Sequence, residues 1–252
     1  MKKILTLKRD YDDWIVPSGT VRLTLAVDVQ LDYFWYSIKA HSADGDTTRI
    51  GHGTAYNWSD IEDIQEATYF DSDGNSFKVY AAAIDSGYRT DEVYDYISMN
   101  SHVAIPVKGS SRELRSPYNK SRIVEKNIDI WVIDTAFYKN IIAGKIDRSL
   151  KSVANNEKCR AGFWVNSGCN DVYARQITSE HLTEEINSKT GEKKHYWAKK
   201  TAHAQNHLLD CEVYHAFLAD LIGVRFMKEK PSNPQQNQVQ NQNIHIGYTD
   251  TF

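Results

Sequence analysis

The sequence predicts an α/β fold built on one mixed sheet. Three observations carry that expectation. Two apolar runs of strand length, residues 21–28 (VRLTLAVD) and 77–85 (FKVYAAAID), each end in an aspartate. A β-rich stretch follows the first run directly. Beyond the second, helical segments alternate with short apolar runs, the pattern of an α/β layer architecture.

Residues 1–18 mix charges and aromatics without clear periodicity and read as a linker-like segment. Residues 21–28 form the first core strand. Residues 33–41 and 47–54 continue as β-rich segments around an Asp44-Gly45 turn, so three strands in meander order are expected. Ser59 is a candidate cap for a helix over 60–70, which the turn residues 71–74 (DSDG) stop. The run 77–85 is nearly apolar throughout, as a fully buried parallel strand is, and the preceding helix supplies its crossover. The resulting order is βββαβ.

Thr90 can cap a helix through Asn100, followed by strands over 102–107 and 128–134 and a helix over 135–146. Residues 182–186 and 194–198 flank the Gly-containing stretch 187–191 and read as a β-hairpin. Residues 202–222 make the longest expected helix. The tail 229–252, rich in Gln and Asn, is too polar to offset its ordering entropy and is expected to be disordered. One domain over 19–228 with flexible ends is the simplest organisation.

Composition narrows the function. With 41% hydrophobic residues the 252-residue chain can bury a real core, and a net charge of −3 provides no global basic field for nucleic acid. Contact with DNA has to come from a local patch. Three cysteines without a CxxC pair fit a reducing compartment, and no signal peptide or membrane-length apolar stretch is present, so the expected location is the cytoplasm. No GxxxxGK[ST] or GxSxG pattern occurs, which removes the sequence case for nucleotide hydrolysis or serine catalysis within this chain.

The chemistry then rests on carboxylates. Asp28 and Asp85 stand at the ends of core strands, where α/β proteins bind ligands and where a carboxylate escapes full desolvation. Two such groups invite a cation; each alone also reads as a turn or cap. On the expected long helix His203, His207, Asp210 and Tyr214 share one face, and Asp210, amid apolar residues, requires a partner: a metal ion, a lysine or a backbone donor. His203 and His207 have the HxxxH spacing without the glutamate of HExxH, a weak zinc signal. Asp134 ends another apolar strand and reads equally as a helix cap.

Several stretches resemble the C-terminal nuclease domain of lambda-type phage terminase large subunits: VPSGTVRLTLAVDVQ, AAAIDSGYRTDEVYDY, the Lys108-Gly109 pair, VIDTAFYKNII, VYARQITSE and NHLLDCEVYHAFLA. The resemblance spans residues 16–224, with IDSGYRT and NxxxDCxVY its most specific parts. It implies an RNase H-like fold, three antiparallel strands extended by parallel ones, and a DNA endonuclease cutting concatemeric viral DNA in the host cytoplasm. By the same resemblance Asp28, Asp85 and Asp210 are the catalytic and metal-binding carboxylates. Asp134 and His207 are second in rank, and His207 stands where relatives carry an acidic residue.

Two Mg²⁺ or Mn²⁺ ions follow from that chemistry, with Asp28 bridging, Asp85 on one ion and Asp210 on the other. Arg89 and Lys108, after strand ends, and Lys199 and Lys200, beside the expected hairpin, are the candidate DNA contacts. The implied partners are double-stranded DNA, an ATPase motor on the same or another chain, the small terminase subunit and the portal, with no membrane. Two other readings stay open: a resolvase- or transposase-type nuclease on the same fold, and a non-catalytic module docking DNA or the portal.

Overall fold

The computed structural model describes residues 2–110, 112–186, 191 and 193–228; the hairpin tip 187–190 and the Gln/Asn-rich tail, both subjects of sequence expectations, lie outside these. A short helix α1 (Lys2–Leu5) and strand β1 (Ile15–Val16) precede the meander β2 (Thr20–Val29), β3 (Phe34–Ser42) and β4 (Thr47–Ala55). Helix α2 (Trp58–Glu66) leads to the short strands β5 (Tyr69–Asp71) and β6 (Ser76–Phe77) and then to β7 (Val79–Asp85). Helix α3 (Thr90–Asn100), β8 (Ala104–Gly109), β9 (Tyr118–Ile123), β10 (Ile128–Ile133) and α4 (Thr135–Asn155) complete the α/β half. Strand β11 (Phe163–Val165), α5 (Asp171–Ile177), the hairpin β12 (Glu180–Ile186) and β13 (Lys193–Lys199), and α6 (His207–Leu221) follow.

Eight strands form one mixed sheet in the order β11-β4-β3-β2-β7-β8-β10-β9. The meander is antiparallel, β2, β7, β8 and β10 run parallel, and β9 returns antiparallel at the edge. This is the RNase H-like arrangement the sequence predicted, extended by one edge strand and by β11 on the far side.

Strand periodicity distributes the chemistry between two layers. Leu23, Leu25 and Val27 of β2, with Ala82 and Ile84 of β7, join the core under α2 and α3. Ala26 and Ala83 point the other way, into the core under α4, α5 and α6. Asp28 and Asp85 share that second parity, so both strand-end carboxylates are delivered to the α6 side. The register pairs Val27 with Ile84, which places the two aspartates on adjacent strands one residue further on.

Local sequence corrects several expected boundaries. Helix α2 is capped by Asn57, not Ser59, through a reciprocal bond pair with Asp60. It ends at Glu66, where the chain enters β5. Thr90 lies inside α3 and its hydroxyl donates to the Ser86 carbonyl at 3.0 Å, while Arg89 takes the cap position with φ 46°. Among the described residues the longest helix is α4 with 21 residues; α6 has 15 and starts at His207, leaving His203 in the preceding turn and out of the expected helical face. The segment expected to be linker-like is packed: Ile4, Leu7 and Val16 are buried, and Lys8 bridges to Val165.

Candidate active site

Helix α6 lies against β2, β3 and β7, and most of its residues are buried. A helix so placed needs polar anchors to fix its register, and it has two sets. His215 is held between Thr24 Oγ1 (2.7 Å from Nδ1) and Ser37 Oγ (2.9 Å from Nε2). Glu212, 2% exposed, forms a short ion pair with the equally buried Lys39 and accepts from the Tyr173 hydroxyl at 2.5 Å. Both anchors hold the helix against the meander, and the turn between Asp210 and Glu212 delivers Asp210 to the strand ends.

Asp28 is nearly buried. Its Oδ2 accepts from Gln30 Nε2 at 2.6 Å and from His207 Nδ1 at 2.8 Å, and the His207 ring stacks on Trp35 with 6.0 Å between centroids. Asp85 accepts from the Gly87 N–H at 3.1 Å and from Tyr214. Burial, then the negative charge of Asp28, raises its carboxyl to about 6, with Lys108 pulling the other way. Asp210 is pushed to about 7, first by burial and then by Asp28, Glu180 and Asp85, while Lys139 opposes the shift. The three predicted carboxylates therefore act on one another, as like charges sharing a site do.

Around Asp210 stands a set of residues the sequence reading did not single out. Lys139 Nζ lies 2.8 Å from Glu180 Oε2 and 3.8 Å from Asp210 Oδ1. Asn206 Nδ2 donates to Glu180 Oε1 and to Asp210 Oδ2, both at 2.9 Å. Gln30 and Trp35, on the Asp28 side, were likewise not singled out, whereas Tyr214 was. The signal for Tyr214 was its place on the Asp210 helix face.

The other candidates fall in different places. His207 reaches Asp28. Asp134 serves as the cap of α4, accepting from Phe137 N at 3.0 Å and from Leu114 N at 3.3 Å, so both of its oxygens are engaged. Arg89 is paired with Glu92 of its own helix. Lys108 is exposed and close enough to act on Asp85. Lys199 lies opposite Glu180 in the hairpin register, and Lys200 N–H donates to the Ser179 carbonyl at 2.8 Å; both side chains are exposed at the hairpin base. The three cysteines are free and buried.

Three carboxylates offer the oxygen donors that hard divalent cations take. Among the described residues no group of three or more His, Cys, Asp and Glu side chains is gathered tightly enough to enclose a metal ion. The fit is one of donor chemistry with an open shell: such ions commonly use one or two carboxylates and complete their coordination with water and substrate phosphate.

An antiparallel meander extended by parallel strands, with α6 packed across it, is the arrangement of an RNase H-like core. The family model described as terminase large subunit gpA, endonuclease domain, matches residues 1–231, and the chain belongs to that family. Among solved structures it is similar to a mutant nuclease domain of the large terminase subunit gp2 of bacterial virus Sf6, determined with manganese and beta-thujaplicinol. That likeness has 14% identity and a TM-score of 0.48, covering 79% of this chain and 89% of the other. No curated protein matches.

Proposed function

We propose that this chain is a metal-dependent endodeoxyribonuclease that cuts concatemeric phage DNA during genome packaging in the host cytoplasm, with Asp28, Asp85 and Asp210 holding Mg²⁺ or Mn²⁺. The observation that carries this reading is the geometry: Asp28 and Asp85 stand at adjacent strand ends on the face that α6 covers, and α6 carries Asp210, near enough for the acids to raise Asp85 and Asp210 further after burial has done so. A site that gathers several acids in one largely buried place has a use for a divalent cation. Family membership supports the choice of DNA and of the packaging machinery.

When bound, two divalent ions supply an activated hydroxide, neutralise the scissile phosphate and stabilise the leaving 3′ oxygen. The chain's own groups prepare for this. His207 and Gln30 both engage Oδ2 of Asp28 and so fix the orientation of that carboxylate. Gly87 N–H and Tyr214 orient Asp85. Lys108, exposed on the strand end beside Asp85, is the group best situated to meet a phosphate, with Lys199 and Lys200 at the hairpin base as further backbone contacts. Arg89, already paired with Glu92, contributes less.

Supercoiled plasmid incubated with the protein and Mn²⁺ tests the proposal. Nicking is expected, with a drop of about 10²-fold or more in Asp28→Asn, Asp85→Asn and Asp210→Asn, the scale of removing a group that acts on the transition state. Absence of nicking by the parent, or undiminished nicking by both Asp28→Asn and Asp85→Asn, refutes it.

A further inference from the structure

Lys139, Glu180, Asn206 and Asp210 form a closed ring in which Asn206 donates to both carboxylates and Lys139 donates to Glu180 and stands at ion-pair distance from Asp210. Lys139 comes from the first turns of α4, Glu180 opens β12, Asn206 precedes α6 and Asp210 lies in its first turn. The ring is mostly buried: the side chains of Lys139 and Glu180 are 10% and 5% exposed. It is also asymmetric. The ammonium of Lys139 is in hydrogen-bond contact with Glu180 at 2.8 Å and stands off from Asp210 at 3.8 Å.

We propose that Glu180 is a positioning residue that holds the Lys139 ammonium away from Asp210, keeping that aspartate open to a divalent cation. The inference rests on the proposed metal site and concerns what keeps the site receptive. A buried lysine beside a carboxylate competes with any cation for it, because a hydrogen-bonded ammonium–carboxylate contact of about 2.8 Å is among the strong polar pairs. Glu180 supplies the nearer acceptor. Asn206 ties the two carboxylates at 2.9 Å on each side, which fixes the spacing that makes the arrangement asymmetric. With Glu180 neutralised, Lys139 has only Asp210 as an anionic partner and closes on it, occupying the position a cation needs.

Mn²⁺ affinity in the absence of DNA, read from the EPR signal of free Mn²⁺, tests this in the full chain with thermal melting as the check on folding. Glu180→Gln is expected to weaken Mn²⁺ binding about 10-fold, the usual scale for groups behind a ligand. Lys139→Met is expected to strengthen it severalfold. The double variant Glu180→Gln/Lys139→Met is expected to return to within about threefold of the parent, a coupling that independent sites do not show. A merely structural Glu180 gives no such recovery. Unchanged affinity in Glu180→Gln, or a double variant as weak as Glu180→Gln alone, overturns the proposal. Should Glu180→Gln not fold, Lys139→Met decides alone: tighter Mn²⁺ binding supports the proposal, and equal or weaker binding overturns it. Asp210→Asn separates the underlying reading, since a parent whose Mn²⁺ binding survives that change has its metal elsewhere, whatever Glu180 does.

Discussion

Replacing Asp210 by asparagine is expected to make the metal-free protein more stable. Asp210 has its carboxyl raised from 3.8 to about 7 by burial and by three neighbouring acids, net of the attraction of Lys139. At 1.36 kcal/mol per pKa unit, holding it ionised at pH 8 costs about 4 kcal/mol relative to the unfolded chain. Its side chain is 26% exposed and asparagine retains part of the burial cost, so the expected gain is about 2 kcal/mol. For a domain of this size that is roughly 4–8 °C in Tm. Asparagine keeps an oxygen to accept from Asn206, so no donor there is orphaned.

The sign follows from proton linkage. A raised carboxyl pKa means that the folded state binds the proton more tightly, so its stability is undiminished below 3.8 and falls as pH rises toward 7. The advantage of Asp210→Asn is therefore largest at pH 8, shrinks as pH falls through about 7 and disappears near 3.8. Saturating Mn²⁺ should reverse the ranking, because a ligand at 100 times its Kd adds about 2.7 kcal/mol to the parent and little to the variant. Melts in EDTA and in Mn²⁺ at pH 8 and pH 5.5 are sufficient. A variant no more stable than its parent in EDTA at pH 8, or a gain that ignores pH, refutes the electrostatic account of the site.

Three further outcomes are expected. His41 and His215 are held neutral by burial and His52 is lowered to about 3, so below pH 6.5 the unfolded chain gains protons that the folded one refuses. Together they remove stability as pH falls below 6.5, partly offset by Asp85 and Asp210, and urea midpoints should fall with acidification, more steeply in Asp210→Asn. Lys39→Met alone leaves Glu212 charged, buried and unpaired and should cost about 3–5 kcal/mol in chemical denaturation, whereas Lys39→Met/Glu212→Leu should recover most of it. Gly51→Ala would drive a methyl group into the Trp14 ring; displacement of the indole should cost about 1–3 kcal/mol and show as changed tryptophan fluorescence.

The central strands were legible because burial on both faces leaves an uninterrupted apolar run, as in AAAID. What escaped the sequence reading was polar for a structural reason. Strand β9 (YNKSRI) lies at the sheet edge with most of its residues exposed, so it shows no apolar alternation. The last turns of α4 bury Ser149 and Ser152 instead of large apolar residues, and the Ser149 hydroxyl accepts from Phe163 N at 2.8 Å, so the apolar period stopped before the helix did. Asp28, Asp85, Asp210 and His207 were visible from their positions on strands and helix. Lys139, Glu180 and Asn206 lay within the stretches that carried the family resemblance, yet their relation to Asp210 exists only after α4, the hairpin base and α6 meet. No local spacing encodes it.

The sheet takes Asp28 and Asp85 from early strands, while Asp210 rides on the last long helix. Synthesis at about 5–20 residues per second leaves a gap of roughly 6–25 seconds between the emergence of the second acid and the third. During that interval the nascent chain carries β2 and β7 but no α6, and a chain truncated anywhere in between carries none of the third carboxylate. On the proposed reading, the order of elements along the polypeptide works as a safety catch: a protein whose task is to break DNA does not acquire its complete set of acids until translation of the domain is almost finished.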